Sequence, residues 1–240
     1  MREFSDRGFI VDVRRYGEHD AVVSFFTENH GLLKAFINHA FSKKMTGVVQ
    51  VGNLTAFSYR ARLEDQLGNA ACDLVCSYAG RVMQNPDALS VLSCLCALLT
   101  FLPQDVPAPQ IFNSALTQVE KISDAGMFER YARFELLLLS EMGFGLDLSC
   151  CAATGTTENL TYVSPKSARA VSFEAGAPWK DRLLPLPAFL LDGTIKGVDF
   201  AEIKKALVLT GFFLENYACK HINCGFPPVR RRLFERVAAK

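Results

Sequence analysis

The chain lacks the short motifs that mark the common nucleotide-binding and hydrolytic sites. It contains no GxxxxGK[ST] phosphate-binding loop, and the GFG at residues 143–145 lacks the third glycine and the preceding strand of a dinucleotide-binding fingerprint. Neither HExxH nor GxSxG occurs, and the four histidines have no paired nucleophile beside them in the sequence. We therefore expect no ATP or NAD chemistry and no enzymatic activity.

Long hydrophobic runs are also missing. The most apolar segment, VLSCLCALLTFL at residues 91–102, is interrupted by polar residues and followed by Pro103, so it is well short of the about 20 residues that a membrane-spanning helix needs. The opening MREFSDRGFIVDV alternates charged and apolar residues, unlike the cationic start and apolar core of a signal peptide. We expect neither a membrane segment nor secretion.

The eight cysteines lack the Cys-x-x-Cys spacing of structural zinc sites. They stand at positions 72 and 76, 94 and 96, 150 and 151, and 219 and 224. Without a signal peptide, so many cysteines are typical of a reducing compartment, in which free thiols act as small apolar residues. The sequence therefore predicts a cytoplasmic protein without disulfides.

The overall composition is that of a globular protein. Half of the 240 residues are hydrophobic and 21% are charged, which suits one large domain or two small ones. The formal net charge of +1 is uninformative as a sum, because a neutral protein can still carry a cationic face. The distribution of the basic residues is therefore the more informative property.

The first 78 residues alternate apolar and polar side chains with the period of two expected of strands. Strands are predicted at residues 8–15, 21–27, 32–39 and 69–75, with a long fourth strand formed by 48–51 and 54–62. Gly31 suits the positive φ of a tight turn between the second and third strands. Five short strands in so few residues predict a small closed barrel, the OB-fold, with an SH3-like barrel as the alternative.

Beyond residue 78 the apolar period becomes that of helices. Helices are predicted at residues 78–84, 87–101, 109–123, 127–142, 199–219 and 228–238, and the helix that Gly143 ends should be central to the core. Residues 145–191 are rich in glycine and proline and predict an irregular insertion. The fold class is thus α+β multidomain, with an all-β barrel domain at 1–78 and a mainly helical domain at 79–240.

Basic residues are unevenly placed along both predicted domains. Arg14 and Arg15 stand at the end of a strand, and Arg60 and Arg62 share one face of another because they are two residues apart. With Lys34 and the loop residues 43–44 they predict a cationic groove, with scattered surface charges as the alternative. Residues 227–240 predict a basic helix that starts at Pro228, or else a solubilising tail.

Six segments, in order along the chain, match the pattern of one family. They are GFIV at residues 8–11, RYGEHD at 15–20, TENHGL at 27–32, QVGN at 50–53, FELLLLSEMGF at 134–144 and YVSPKSARAV at 162–171. Together they resemble the RecO family of DNA repair and recombination mediators. The resemblance implies an N-terminal OB-fold, a helical C-terminal domain and, in many members, a zinc module.

The resemblance also implies function and partners. Members of the family bind single- and double-stranded DNA, anneal complementary strands without ATP and, with RecR, help to load RecA on strands coated by single-stranded DNA-binding protein. They dock the C-terminal tail of that protein, and they act at the bacterial nucleoid. The runner-up functions are a metalloprotein or hydrolase with an OB-like accessory domain, and an adaptor without DNA binding.

Two departures from the family pattern concern the candidate sites. The loop after the third strand reads AFSKK at residues 40–44, where the family shows a glycine and several arginines. In the zinc-module region, within 145–191, Cys151 is followed three residues later by Thr154, and the second pair is replaced by SARA at 167–170. We expect no zinc and no other cofactor, and the one alternative ligand set is Cys150 or Cys151 with Cys219, His221 and Cys224.

The candidate site residues follow from the charges and the resemblance together. The expected DNA contacts are Arg14, Arg15, Lys34, Lys43, Lys44, Arg60, Arg62, Arg230, Arg231 and Arg232. Phe36, Phe57 and Tyr59 are candidate surfaces for stacking of bases, although aromatic residues in strands more often belong to the core. Arg133, with Arg130 second, is expected to bind the partner tail, because a guanidinium pairs well with a carboxylate; plain surface charge is the alternative.

Overall fold

A computed structural model describes residues 1–63 and 66–240 of the chain. These residues form two compact units, Met1–Ser123 and Asp124–Lys240. The domain boundary predicted at residue 78 falls inside the first unit, because this unit contains five barrel strands and also the three helices that follow them. The third of these helices belongs to this unit because its Phe112 packs against Phe9 and Phe26 of the strands.

Five strands of the first unit form a closed barrel. They are β1 (Arg2–Tyr16), β2 (Asp20–Thr27), β3 (Gly31–Ile37), β4 (Leu54–Ala61) and β5 (Gly68–Cys76). Their order is β1-β2-β3-β5-β4, with β4 closing on β1. Only the β3–β5 pair is parallel among the described strands. This is the OB-fold, as predicted.

The long first strand closes the barrel by pairing with two neighbours. Its first half pairs with β4, from Arg2 opposite Ala61 to Phe9 opposite Leu54. Its second half pairs with β2, ending with Tyr16 opposite Asp20. The register shifts by one residue after Ile10, and such a bulge bends a strand and increases its twist. The strand begins at Arg2, earlier than the predicted residue 8, and the residues before 8 pair with β4.

The barrel interior follows the alternation of the strands. Ala21, Val23 and Phe25 of β2 are fully buried, and Phe25 stacks on Phe57 of β4 with ring centres 4.6 Å apart. The predicted strand at residues 48–51 is instead a turn. Gly52 has a φ of +96°, and the Asn53 side-chain amide donates hydrogen bonds to the carbonyls of residues 47 and 48, which stabilises the turn.

Three helices complete the first unit: α1 (Tyr78–Val82), α2 (Pro86–Leu99) and α3 (Pro109–Glu120). The Asn85 side chain accepts hydrogen bonds from the first turn of α2 and so caps it. Phe112 of α3 packs on the outside of the barrel, with its ring centre 5.4 Å from that of Phe9 and 6.0 Å from that of Phe26. The helices thus cover the outer surface near Phe9 and Phe26, whereas the outer surface near Tyr16 is exposed.

The second unit contains helices around a small sheet. Its elements are α4 (Met127–Glu141), β6 (Leu160–Val163), β7 (Ala170–Ser172), α5 (Phe173–Gly176), β8 (Leu184–Pro185), α6 (Ala188–Leu191), α7 (Phe200–Phe213), a π-helical turn (Leu214–Ala218), α8 (Cys219–His221) and α9 (Pro228–Ala238). The strands pair antiparallel in the order β7-β6-β8. The insertion predicted to be irregular therefore holds a sheet, whose strands are too short to show a clear period.

A buried ion pair joins α4, α7 and α9. Glu135 is fully buried, and its carboxylate accepts hydrogen bonds from Arg230, with an Nη2–Oε2 distance of 2.9 Å, and from the Thr210 hydroxyl at 2.5 Å. Arg230 Nη2 also donates to the Leu207 carbonyl at 2.8 Å. Tyr131 and Phe134 of α4 are buried as well, so α4 is the central core helix that the sequence predicts. No helix in residues 1–63 and 66–240 has the length and apolar character to cross a membrane.

Candidate nucleic-acid interface

One row of side chains crosses the outer surface of all five barrel strands. Backbone pairing places Arg14 opposite Val22, Val22 opposite Phe36, Phe36 opposite Asn69, and Asn69 opposite Arg60. The residues on either side of Val22 and Phe36 are buried in the core, and successive strand residues point to opposite faces. The row therefore faces outward, with Arg14 and Arg60 at its two ends and three strands between them.

Two more basic residues extend this surface. Lys34 is exposed and lies two residues before Phe36 on β3, so it points to the same side. Arg62 is exposed directly after the end of β4. Lys34 thus lies beside the row on β3, and Arg62 lies just beyond β4.

The loop after β3 is attached to the turn between β1 and β2. The Phe41 N–H donates to the His19 carbonyl at 3.2 Å, and the His39 N–H donates to Asp20 Oδ1 at 2.8 Å. The guanidinium of Arg15 lies over the Phe41 ring, 4.3 Å from its centre. These contacts hold the loop that carries the exposed residues 43 and 44 beside the end of β1.

We use the name basic face of the barrel for the set of exposed cations on or beside its strands and on the loop after β3: Arg14, Arg15, Lys34, Lys43, Lys44, Arg60 and Arg62. Two of its members form exposed ion pairs, Arg14 with Asp12 at 2.8 Å and Arg60 with Glu3 at 3.1 Å. Exposed pairs of this kind contribute only about 0–1 kcal/mol. A phosphate can therefore compete with these carboxylates for the two arginines.

Of the three aromatic residues considered for stacking on bases, two are buried in the barrel and one is partly exposed. Phe57 and Tyr59 are each only 3% exposed and belong to the core, so they cannot stack on bases. Phe36 is partly exposed on the row. Tyr16 is 62% exposed, and its ring makes an edge contact with Phe36, with centres 5.4 Å apart and planes at 80°. Sequence reasoning missed Tyr16, although its place at the start of a turn is the signal that could have found it.

The structure excludes one of the three DNA-contact residues predicted on the C-terminal helix α9. Arg230 is buried in the ion pair with Glu135 and cannot contact DNA. The apolar spacing of α9 gives the reason, because Arg230 shares its face with the buried Leu233 and Val237 at helical intervals. Arg231 and Arg232 are exposed, and Arg231 pairs with Glu215 at 2.8 Å. They stay candidates, whereas Arg230 does not.

The residues expected to bind the partner tail lie on α4. Arg133 is partly buried, and its Nη2 donates to the carbonyls of Phe189 at 3.0 Å and Ile195 at 3.1 Å. Arg130 is also partly buried, and burial lowers the pKa of its guanidinium. The Arg133 side chain therefore holds both α6 and the segment that follows it, in addition to any role in binding.

An apolar groove lies between α7 and α9, at a place the sequence did not indicate. It has a volume of about 390 Å³ and is lined mainly by Leu207, Val208, Phe212, Phe226 and Phe234, with Arg231 and Glu215 also in its wall. The Arg231 guanidinium lies 5.6 Å from the centre of the Phe226 ring. The groove thus combines apolar walls with a guanidinium.

The cysteines of the zinc-module region have separate environments. Burial raises the pKa of the Cys151 thiol, but hydrogen bonds from Ser172, Thr154 and Ala153 outweigh burial and bring it to about 6. Burial and the contact with Cys224 raise the pKa of Cys219 to about 12. Within the described part of the chain, no three histidine, cysteine or carboxylate side chains are grouped as metal ligands.

We expect the purified protein to contain no stoichiometric zinc after it is washed with a chelator. A tetrahedral structural site needs four thiolate or imidazole ligands, and the Cys-x-x-Cys pairs are missing from the sequence. Elemental analysis measures this directly. A content of about one zinc per chain would contradict the prediction and favour the set that includes Cys219 and His221.

Two family patterns cover most of the chain. Residues 1–75 match the family described as "Recombination protein O N terminal", and residues 83–223 match "Recombination protein O C terminal". The chain belongs to the RecO family. The resemblance that the sequence motifs carry is therefore confirmed, and the family places the chain among proteins of DNA repair and recombination.

Curated relatives extend over nearly the same length. "DNA repair protein RecO" of Rhodospirillum rubrum is 37% identical over 244 residues, covering 99% of this chain and 97% of the relative. The proteins of the same name from Beijerinckia indica and Bartonella quintana are 42% and 38% identical, covering 88% and 98% of this chain and 86% and 98% of their own. This RecO-family chain thus matches its relatives across both compact units.

Proposed function

We propose that the chain is a DNA repair mediator without enzymatic activity that binds single- and double-stranded DNA through the basic face of its barrel. It anneals complementary strands without ATP and, with RecR, assists the loading of RecA on strands coated by single-stranded DNA-binding protein, at the bacterial nucleoid in the cytoplasm. The observation that carries the proposal is the basic face itself. It consists of exposed cations on the outside of an OB-fold barrel and on one of its loops, in a chain of the RecO family.

The arrangement suits contact with phosphates rather than with base edges. Lysine and arginine side chains on a convex barrel follow the backbone of a nucleic acid without reading its sequence. Annealing requires that the charges of two strands be neutralised at the same time, and no nucleotide hydrolysis is needed for this. The surface therefore supports strand annealing without a phosphate-binding loop.

Reversing the charge at Lys43 and Lys44 together is expected to weaken DNA binding alike for all sequences. Each phosphate contact adds about 0.7 to the log-log salt slope for a single strand, so the double variant should flatten this slope by about one to two units. The measurement is the affinity for a single strand, and the rate of ATP-free annealing, at two or more salt concentrations.

The matched control reverses the charge at Arg231 and Arg232, which changes the net charge equally at the other candidate surface. If only the control variant flattens the slope, the DNA site lies on the C-terminal helix rather than on the barrel. If the wild-type protein binds no DNA at low salt, the DNA-binding proposal is wrong and an adaptor role is favoured.

We further propose that the helical unit docks the acidic, apolar-ended tail of single-stranded DNA-binding protein, with Arg133 as the carboxylate partner and Arg130 second. A charge-assisted hydrogen bond contributes about 1.5–3 kcal/mol, so Arg133→Ala should weaken binding of a tail peptide by roughly tenfold or more. Fluorescence anisotropy of a labelled peptide measures the change.

The groove between α7 and α9 supplies the comparison for this experiment. Arg231→Ala removes the guanidinium at the groove and leaves Arg133 in place. An unchanged affinity for Arg133→Ala, with a loss for Arg231→Ala, would move the tail to the groove and contradict the assignment to Arg133.

A further inference from the structure

Tyr16 is a large aromatic residue that the fold leaves in solvent. The residue is 62% exposed, whereas Phe25, Phe57 and Tyr59 of the same barrel are at most 3% exposed. The edge contact with Phe36, at 5.4 Å and 80°, supports the ring on one side. Tyr16 is the last residue of β1, and the turn that follows it requires Gly17, which has a φ of +63°.

Cations lie on the strand that carries Tyr16 and on the strand that carries its neighbour Phe36. Arg14 lies two residues earlier on the same face of β1, and Lys34 lies two residues before Phe36 on the same face of β3. Three carboxylates lie on this part of the surface: Asp12 pairs with Arg14, Asp20 accepts the His39 N–H, and the exposed Glu18 lies 3.8 Å from His19. The exposed ring thus offers a stacking surface on the same face of β1 as Arg14, a candidate phosphate contact.

We propose that Tyr16 stacks on a base of the bound strand and that this contact makes the basic face prefer unpaired DNA to duplex DNA. The proposal rests on the proposed DNA binding and adds the basis of strand selectivity. In a duplex both faces of every internal base are already stacked, so the ring has no base to cover. The phosphate contacts, in contrast, are available in both forms of DNA.

Selectivity of this kind has a consequence for annealing. An unpaired strand is held both by its phosphates and by the stacked base, whereas the duplex that forms keeps only the phosphate contacts. The product is therefore bound less tightly than the substrate at this position. Tyr16 thus favours release after pairing.

The experiment compares three probes of equal length: an oligo-thymidine strand, an abasic strand with the same phosphates but no bases, and a duplex. Stacking on an aromatic side chain contributes a factor of about ten per base. Tyr16→Leu should therefore weaken binding of oligo-thymidine by about tenfold and leave the affinities for the abasic strand and the duplex unchanged. Tyr16→Phe should keep wild-type affinity for all three, since the ring is retained.

Trp179→Leu is the matched control. Trp179 is 56% exposed and has an arginine guanidinium 5.7 Å from its ring, and its loss should change none of the affinities. If Tyr16→Leu weakens binding to all three probes equally, or to none, the stacking proposal is overturned while DNA binding by the barrel stands. If the wild-type protein binds no probe, the proposed function itself has failed, and the two failures are distinct.

Discussion

Replacing Glu135 with alanine is expected to lower the free energy of unfolding by about 3–5 kcal/mol, the usual effect of removing one partner of a buried ion pair. Arg230 is 1% exposed, and it would keep its charge in the core without the carboxylate. Thr210 would lose the same hydrogen-bond acceptor. Urea unfolding followed by the circular dichroism of the helices measures the change.

The control for this variant is Glu215→Ala, which removes the partner of the exposed Arg231. Its effect should stay within about 1 kcal/mol, because exposed pairs contribute little. A double variant that replaces Glu135 with leucine and Arg230 with methionine should recover much of the lost stability, since no buried charge is left. Equal losses for Glu135→Ala and Glu215→Ala would contradict the assignment of the pair to the core.

Replacing Gly31 with alanine is the second change with a large expected effect, a loss of about 3–5 kcal/mol in the stability of the barrel unit. The residue has a φ of +71°, and an added Cβ would lie 2.1 Å from the carbonyl oxygen of Val106. Both the backbone conformation and the contact therefore disfavour a side chain. Thermal and urea unfolding of the full chain measure the loss.

Gly17→Ala separates these two causes. Gly17 has a φ of +63°, and nothing lies within 4 Å of an added Cβ. In Gly17→Ala only the left-handed backbone conformation should lower the free energy of unfolding, by about 1–2 kcal/mol. The difference between the two variants is the contribution of the contact with Val106, and equal losses would show that the contact can relax.

The fold was predictable from the sequence because its elements have clear periods. The alternation along β2 and β3, the turn at Gly31 and the apolar helix around Phe134 each correspond to what the structure shows. The short strands at Leu160–Val163 and Ala170–Ser172 were not predicted, because three or four residues are too few to define a period. The start of β1 at Arg2 was missed because its pairing partner, β4, is distant in sequence.

The candidate site was predictable only in part. Side-chain alternation was enough to place Arg14, Lys34 and Arg60 on the outside of the barrel, but which barrel aromatics are buried depends on how the strands close. Arg230 was misjudged because a run of three arginines looks like a charged surface, whereas its burial depends on a glutamate far away in the sequence. The helical spacing of Arg230 with Leu233 and Val237 was a local signal of its burial, but its partner Glu135 cannot be identified from the local sequence.

The closure of the barrel by β1 also bears on how the chain folds. The hairpins β1–β2 and β2–β3 join neighbouring segments and need only short loops to form. Pairing of β1 with β4 must instead bring Arg2 to Ala61 across two intervening strands and their loops, and closing a longer loop loses more chain entropy and slows folding. We therefore expect the meander of β1, β2 and β3 to form early, and the arrival of β4 on the free half of β1 to be the slow step that completes the barrel.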